Sequence, residues 1–191
     1  MTGLLIALGG SIGTGKTTLA YRLKKHIEDK IRTECFVLES DTVRREYFGH
    51  PLKHRMTADE YTPAVNTIIY GLLDERTIAY LRDGACVIRC LTGKIEDFAE
   101  PIELAATTDA SFIGLFLQAS EKTILERLAK RENERIHNDN LSIEQGHASD
   151  ADAGVLLKYP ILDVIPPGWI ALDAEQPPEK VCEEAVKAII P

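Results

Sequence analysis

Residues 4–17 read LLIALGGSIGTGKT: a short apolar run, a glycine-rich turn, then a lysine and a threonine. The segment Gly10-Ser-Ile-Gly-Thr-Gly15-Lys16-Thr17 satisfies GxxxxGK[ST], a match expected by chance in roughly 1% of chains this long from average residue usage. The context is the one the motif requires, because LLIAL (4–8) reads as a buried strand and Leu19, Leu23 and Ile27 recur at steps of four in a following helix, 15–29. A strand that feeds a helix through such a turn commits the chain to a parallel sheet with crossover helices.

The physics of the turn is specific. Glycines at 10, 13 and 15 let the backbone fold tightly enough to aim N–H groups inward, and the helix adds its unsatisfied donors and positive dipole end. Gly10, Ser11, Ile12, Gly13, Thr14, Gly15, Lys16, Thr17 and Thr18 are thus expected to hold the phosphates of a nucleoside triphosphate. Lys16 should neutralise the β- and γ-phosphates, and the Thr17 hydroxyl should ligate Mg²⁺.

The rest of the chain repeats the strand–helix alternation. CFVL (35–38), ACVI (85–88), SFIGLFLQ (111–118) and GWIALD (168–173) read as strands. Helices are expected over 57–82, with capping-box spacing between Thr57 and Glu60 and a break near Pro63, and over 94–106, 121–135 and 178–190. Residues 136–154 lose periodicity and read as a loop, with His137 and His147 solvated in it. In open parallel sheets ligands bind at the strands' C-terminal edge, so residues just after strands are the candidates for chemistry.

Composition narrows the partners. The chain has 191 residues, 45% hydrophobic and 27% charged, with a formal net charge of −8. That is one domain's worth of ordinary globular protein. No apolar run approaches the roughly 20 residues that cross a bilayer, and the N-terminal run lacks the positive flank of a signal peptide. The acidic balance argues against long nucleic-acid partners. Cys35, Cys86, Cys90 and Cys182 show no metal or redox spacing and read as free thiols in a reducing cytoplasm.

Whether the phosphate is released or transferred turns on one acid. Switch and motor enzymes usually end another strand in a carboxylate that holds Mg²⁺ and water; here the fourth strand ends in Gln118 and the third in Arg89-Cys90. FVLESDTVRR instead delivers Glu39 and Asp41 at the edge of the second strand, on one side if the strand runs that far. A carboxylate facing the γ-phosphate can accept the proton of an incoming hydroxyl. Should Asp41 instead open a helix, Arg44 lies one turn on and can clamp an anionic substrate; in the plainer alternative Asp41 only caps that helix and Arg44–Arg45 are solvated. Arg127, Arg131 and Arg135 form one stripe of the charged helix 121–135, which is either a solvated face, with Lys130 and Glu134 spaced to pair, or a lid leading into the loop and closing over the phosphates. Arg131 above all is expected to close over the transferring phosphoryl group.

With GGSIGTGKTT, ESDTVRREYFG, GACVI, LERLAKR and SDADAGVL, the chain resembles the small P-loop kinases of the zeta-toxin, gluconate-kinase and polynucleotide 5′-kinase group, the AAA_33 type. The resemblance implies a P-loop NTPase three-layer α/β sandwich, 1–191 as one domain, with a five-stranded parallel sheet in the order 2-3-1-4-5 and a lid at about 127–150. It implies ATP as donor, Asp41 as general base, Arg44 as a substrate contact, Arg127 and Arg131 as lid residues on the nucleotide, and Ser149-Asp150 at the lid's far hinge. One departure stands out: such kinases commonly carry an acid after the third strand, where this chain has Arg89-Cys90 and no acid until Glu96. The expected activity is ATP- and Mg²⁺-dependent transfer to a hydroxyl of a small, anionic acceptor. The alternatives are a polynucleotide 5′-hydroxyl kinase, which would need a basic groove, and a nucleotide-binding regulatory or toxin-like protein with little turnover. No feature points to an oligomeric state.

Overall fold

A computed structural model describes residues 2–92, 95–138, 140–145, 147, 149–152, 154, 156 and 161–190. Five strands, β1 (Leu4–Gly10), β2 (Cys35–Glu39), β3 (Cys86–Cys90), β4 (Ser111–Gln118) and β5 (Ile170–Asp173), pair in parallel in the order β2-β3-β1-β4-β5. The register is continuous across the centre, with Leu4 opposite both Cys86 and Ser111. β1 is central and enclosed on both faces, which is why its sequence is an uninterrupted apolar run rather than an alternating one.

The helices fall into two layers. On one face α1 (Lys16–His26) and the C-terminal α6 (Pro178–Ile189) place Leu19, Leu23, Val181 and Ala185 against Ile6, Leu8 and Ile88. On the other, α3 (Pro63–Arg82) and α4 (Glu100–Thr107) place Ile69, Leu73, Leu81 and Ala105 against Leu5 and Val87. Successive residues of β1 thus face opposite layers. The remaining helices, α2 (Ser40–Phe48) and α5 (Glu121–His137), leave the C-terminal ends of β2 and β4 and frame the functional edge.

Several boundaries move for local reasons. The expected helix 15–29 is α1 continued by a π-helical turn, Ile27–Ile31, that ends at left-handed Arg32 (φ 59°). The capping box of Thr57 and Glu60 forms, but it caps a 3₁₀ turn, Ala58–Tyr61. Thr62 then caps α3 with Pro63 in its first turn, where the missing N–H costs nothing. The expected helix at 94–106 is a 3₁₀ turn, Ile95–Phe98, followed by α4 with Pro101 near its start; Lys94 lies outside the described residues. So do residues 139, 146 and 148 of the expected loop and 153 and 155 of SDADAGVL. β2 stops at Glu39 and α2 begins at Ser40. Asp41 is therefore in the first turn of a helix, not on an extended strand beside Glu39, and the cap position is Glu39 rather than Asp41.

Candidate active site

Local backbone geometry builds the turn between β1 and α1. Gly10 adopts φ 135°, and a Cβ there would stand 2.5 Å from the Leu117 carbonyl oxygen of the neighbouring strand. Gly15, immediately before α1, is left-handed at φ 98°. Both positions exclude any other residue without strain. The turn is braced from outside. Thr14 Oγ1 donates to Ser11 O (2.8 Å), Ser11 Oγ accepts from Leu162 N (2.9 Å), and Arg127 Nη1 donates to Thr14 O (3.1 Å). The Ile12 side chain packs with Ile124, Leu128 and Leu156.

Lys16 is buried, and its Nζ donates to Gly10 O and Ser11 O, both at 2.8 Å. Burial lowers its pKa to about 8 against the pull of Cys90 and Glu39. Thr17 Oγ1 donates to Glu39 Oε1 at 2.5 Å. Glu39 is buried, and desolvation raises its pKa although Thr17 and the Cys90 thiol hydrogen-bond its carboxylate. Cys90 ends β3 between them, its own pKa pushed well up by burial. The sequence showed Glu39 at this edge without assigning it to Thr17; its position at the end of β2, two strands from the P-loop strand, was the available signal.

These groups open onto a cavity of about 590 Å³ that runs along the sheet's C-terminal edge. Lys16, Thr17, Glu39 and Asp41 all line it, as do Arg127 and Arg131. Toward β5 its wall is Ala174, Gln176, Pro178 and Val181; toward β2 and β3 it is Tyr70, Asp74, Arg89, Asp97 and Glu100. The P-loop strand lies between those two ends.

Asp41 receives a hydrogen bond from the Ser149 hydroxyl and a long one from Tyr61 Oη (3.4 Å). Desolvation raises its pKa, opposed by Ser149 and Arg44. Arg44 does not reach the cavity. Its guanidinium is buried, donates to Glu60 O (2.8 Å) and Asn66 Oδ1 (2.9 Å), and lies 4.5 Å from the Tyr61 ring centroid. Those contacts turn both terminal nitrogens away from the cavity, while Nε is buried without a hydrogen-bond partner. Arg45 is buried too, so neither arginine is solvated.

The arginine stripe divides. Arg127 ties Thr14 O to Ala174 O (2.6 Å to the latter). Arg131 donates to Ala151 O and lines the cavity. Arg135 is turned to structure: it donates to Asp150 Oδ1 (2.5 Å), His147 O (2.9 Å) and Ser149 O (2.7 Å). Lys130 and Glu134 pair at 3.8 Å on the exposed face. His137 is exposed, but His147 is fully enclosed, with Nδ1 3.0 Å from Ser142 N and Nε2 3.2 Å from Glu134 Oε2. The expectation of a solvated His147 fails because the segment folds back onto α5, which supplies Glu134. Arg89, in the place where an acid was expected, is buried and paired with Asp74 (2.7 Å) and Glu100 (3.0 Å).

With this geometry in place, comparison with known proteins is informative. The AAA domain family AAA_33 matches residues 5–157, and the chain belongs to it. Among solved structures it is similar to the APS kinase of Mycobacterium tuberculosis in complex with AMPPNP and APS, with 14% identity, 98% of each chain covered and a TM-score of 0.66. A sugar kinase from Janibacter sp. HTCC2649 is 20% identical over 99% of this chain and 95% of its own, TM-score 0.58. A gluconokinase from Sinorhizobium meliloti 1021 is 18% identical over 98% and 91%, TM-score 0.53. No curated protein sequence matches. The fold is that of the small P-loop kinases. Among the described residues, no helix is long and apolar enough to cross a membrane.

Proposed function

We propose that this protein is an ATP- and Mg²⁺-dependent phosphotransferase that moves the γ-phosphoryl group to a hydroxyl of a small acceptor. One observation carries the reading: Lys16, Thr17, Glu39 and Asp41 line a single cavity with Arg131, so phosphate-holding and proton-accepting groups face shared space. The AAA_33 membership and the kinase fold support it.

The P-loop N–H groups and Lys16 hold the triphosphate. Thr17 and Glu39 fit Mg²⁺, since a hydroxyl and a buried carboxylate are hard oxygen donors already in contact; held there, the ion would supply neutralisation of phosphate charge. Asp41 orients the acceptor hydroxyl and takes its proton. Arg131 and Arg127, on a lid of about 127–150, stabilise charge on the transferring group and exclude water. Ser149 of that segment bonds Asp41, which favours transfer over hydrolysis by closing the acid against bulk solvent. The four cysteines, Cys35, Cys86, Cys90 and Cys182, are all free thiols, which suits a reducing cytoplasm.

The acceptor's charge reads differently from the sequence-based expectation. Arg44 is held outside the cavity and Arg89 is spent on Asp74 and Glu100. Asp41 and Asp97 line the acceptor end, where two further carboxylates, Asp74 and Glu100, stand against the single guanidinium of Arg89. A neutral polyol or a cationic hydroxyl compound suits such a wall better than an anion, and a 5′-hydroxyl oligonucleotide suits it least.

An ADP-release screen over sugars, amino sugars, nucleosides, vitamins and oligonucleotides tests this, with Asp41→Asn as control. Acceptor-dependent ADP release that Asp41→Asn abolishes is the expected result. Equal rates in both proteins on the true acceptor overturn the assignment of the base. Tight ATP binding with no acceptor-dependent release across the panel favours a nucleotide-binding regulatory role instead.

A further inference from the structure

The segment between α2 and α3 holds a side-chain cluster that phosphoryl transfer does not use. Gly49 ends α2 in the left-handed conformation (φ 70°), and His54 N donates to Pro51 O at 3.0 Å, so the chain turns back on itself. This brings His50 and His54 face to face, ring centroids 3.7 Å apart and planes at 26°. Glu60 enters from the following 3₁₀ turn, its Oε1 2.5 Å from His50 Nε2 and its Oε2 3.9 Å from His54 Nε2. One donor atom from each of the three lies within 4.8 Å of the other two.

Two features distinguish this from a surface ion pair. Glu60 is a buried carboxylate, and the Thr57 N–H (2.6 Å) and hydroxyl (3.0 Å) fix its orientation. His54 Nε2 is enclosed with no hydrogen-bond partner although it points at that carboxylate. Buried polar atoms are nearly always partnered, and an unpartnered imidazole nitrogen beside a second imidazole and an oriented carboxylate has the character of a metal ligand.

We propose that His50, His54 and Glu60 form a site for one divalent transition-metal ion of the zinc type, separate from the Mg²⁺ site at Thr17. Two imidazoles and one carboxylate match a zinc coordination set with a fourth position for water, whereas Mg²⁺ prefers oxygen donors alone. Ligand atoms around tetrahedral zinc stand about 3.3 Å apart, so the His50–Glu60 contact must open slightly and His54 must move inward. The ion replaces any proton shared between His50 and Glu60 or carried by His54, and that proton leaves to solvent.

The site's place gives it a consequence. Glu60 O accepts Arg44, and Tyr61 covers the Arg44 guanidinium and touches Asp41. Arg45 donates to Pro51 O (3.0 Å) and His54 O (2.7 Å) while holding Asp150. An ion at 50–60 would tie down the segment on which Asp41's neighbours rest.

The test is a Zn²⁺ titration of the chelator-stripped full chain, by calorimetry and by competition with a chromophoric chelator, in wild type, His50→Ala, His54→Ala and Thr17→Ala. One Zn²⁺ per chain at micromolar or tighter dissociation constant is expected, weakened at least tenfold in either histidine variant, unchanged in Thr17→Ala, and not displaced by millimolar Mg²⁺. Circular dichroism identifies a variant that fails to fold; for that case the visible spectrum of Co²⁺-substituted wild type reports four-coordinate nitrogen and oxygen ligation directly. Binding only at millimolar zinc, binding equal in all proteins, or a Co²⁺ spectrum of octahedral or sulfur ligation would overturn the site. None of these readouts depends on kinase activity.

Discussion

The Thr17 hydroxyl and the Glu39 carboxylate meet at 2.5 Å across the end of an intervening strand. β3 lies between them and closes with Cys90, whose thiol donates to the same carboxylate. A cysteine there leaves room for the longer side chain from β2 to reach the P-loop. In the proposed function, Glu39 at the end of the second strand takes the place of the acid expected after the third.

Glu39→Gln keeps the shape and removes the charge. Loss of a carboxylate that orients a metal-binding group typically costs 10–100-fold in metal affinity or activity. The half-saturating Mg²⁺ concentration for ADP release should therefore rise by about that factor. Nucleotide affinity in chelator should change little. A variant with wild-type Mg²⁺ dependence would remove Glu39 from the metal site.

Burial sets Lys16 at about 8, below its usual 10.5. Its charge is what the phosphates need, so nucleotide affinity should fall as pH rises through 8 and beyond. Bound phosphate restores the ammonium, so binding near pH 8–9 should take up protons, read by calorimetry in buffers of different ionisation heat. The stability of the free protein runs the other way. The folded pKa is depressed, so the cost of burying the cation is fully present below pH 8 and is relieved between 8 and 10.5. Lys16→Met should abolish both the proton uptake and most of the nucleotide affinity.

Asp41 sits where desolvation raises its pKa. Only the ionised form accepts a proton, so kcat should fall on the acid side through a pKa above the ordinary carboxylate range. Asp41→Asn should lose about 10²–10⁴-fold in kcat and abolish that limb of the profile, with the nucleotide dissociation constant unchanged. Ser149→Ala removes a bond that favours the ionised form and should shift the same limb to higher pH.

The parts of the molecule legible in the sequence are those set by local pattern. β1 and the P-loop needed only the apolar run, the glycines and the helical spacing of Leu19 and Leu23. What stayed hidden depended on distant partners. Arg44 and Arg45 are indistinguishable in sequence, yet one turns to Glu60 and Asn66 and the other reaches Asp150, 105 residues away. Strand alternation would set Asp41 on the same side as Glu39, and it fails because the helix starts at Ser40. His147 looked like a loop residue because nothing local marks its burial against α5. Glu60 was visible as a cap, but its meeting with His50 and His54 needed the turn after Gly49.

Asp150 joins the two sides of the site. Arg45 from α2 approaches both of its carboxylate oxygens (3.0 and 2.9 Å), Arg135 from α5 takes Oδ1, and the Met56 N–H takes Oδ2 (3.0 Å). All three charged side chains are below 10% exposed, at 4%, 7% and 9% for Arg45, Asp150 and Arg135. The carboxylate therefore compensates two buried guanidinium groups. Removing one partner of such an arrangement costs about 3–5 kcal/mol because the remaining charge stays buried. Asp150→Ala should lower stability by about that amount in urea titration, more than Arg135→Ala, which leaves Arg45 and Asp150 paired. The neighbouring Ser149, whose carbonyl Arg135 also holds, hydrogen-bonds Asp41, so Asp150→Ala should also depress kcat at saturating nucleotide. A neutral stability change in Asp150→Ala would mean that the arginines find other partners and that the junction does not anchor the acid.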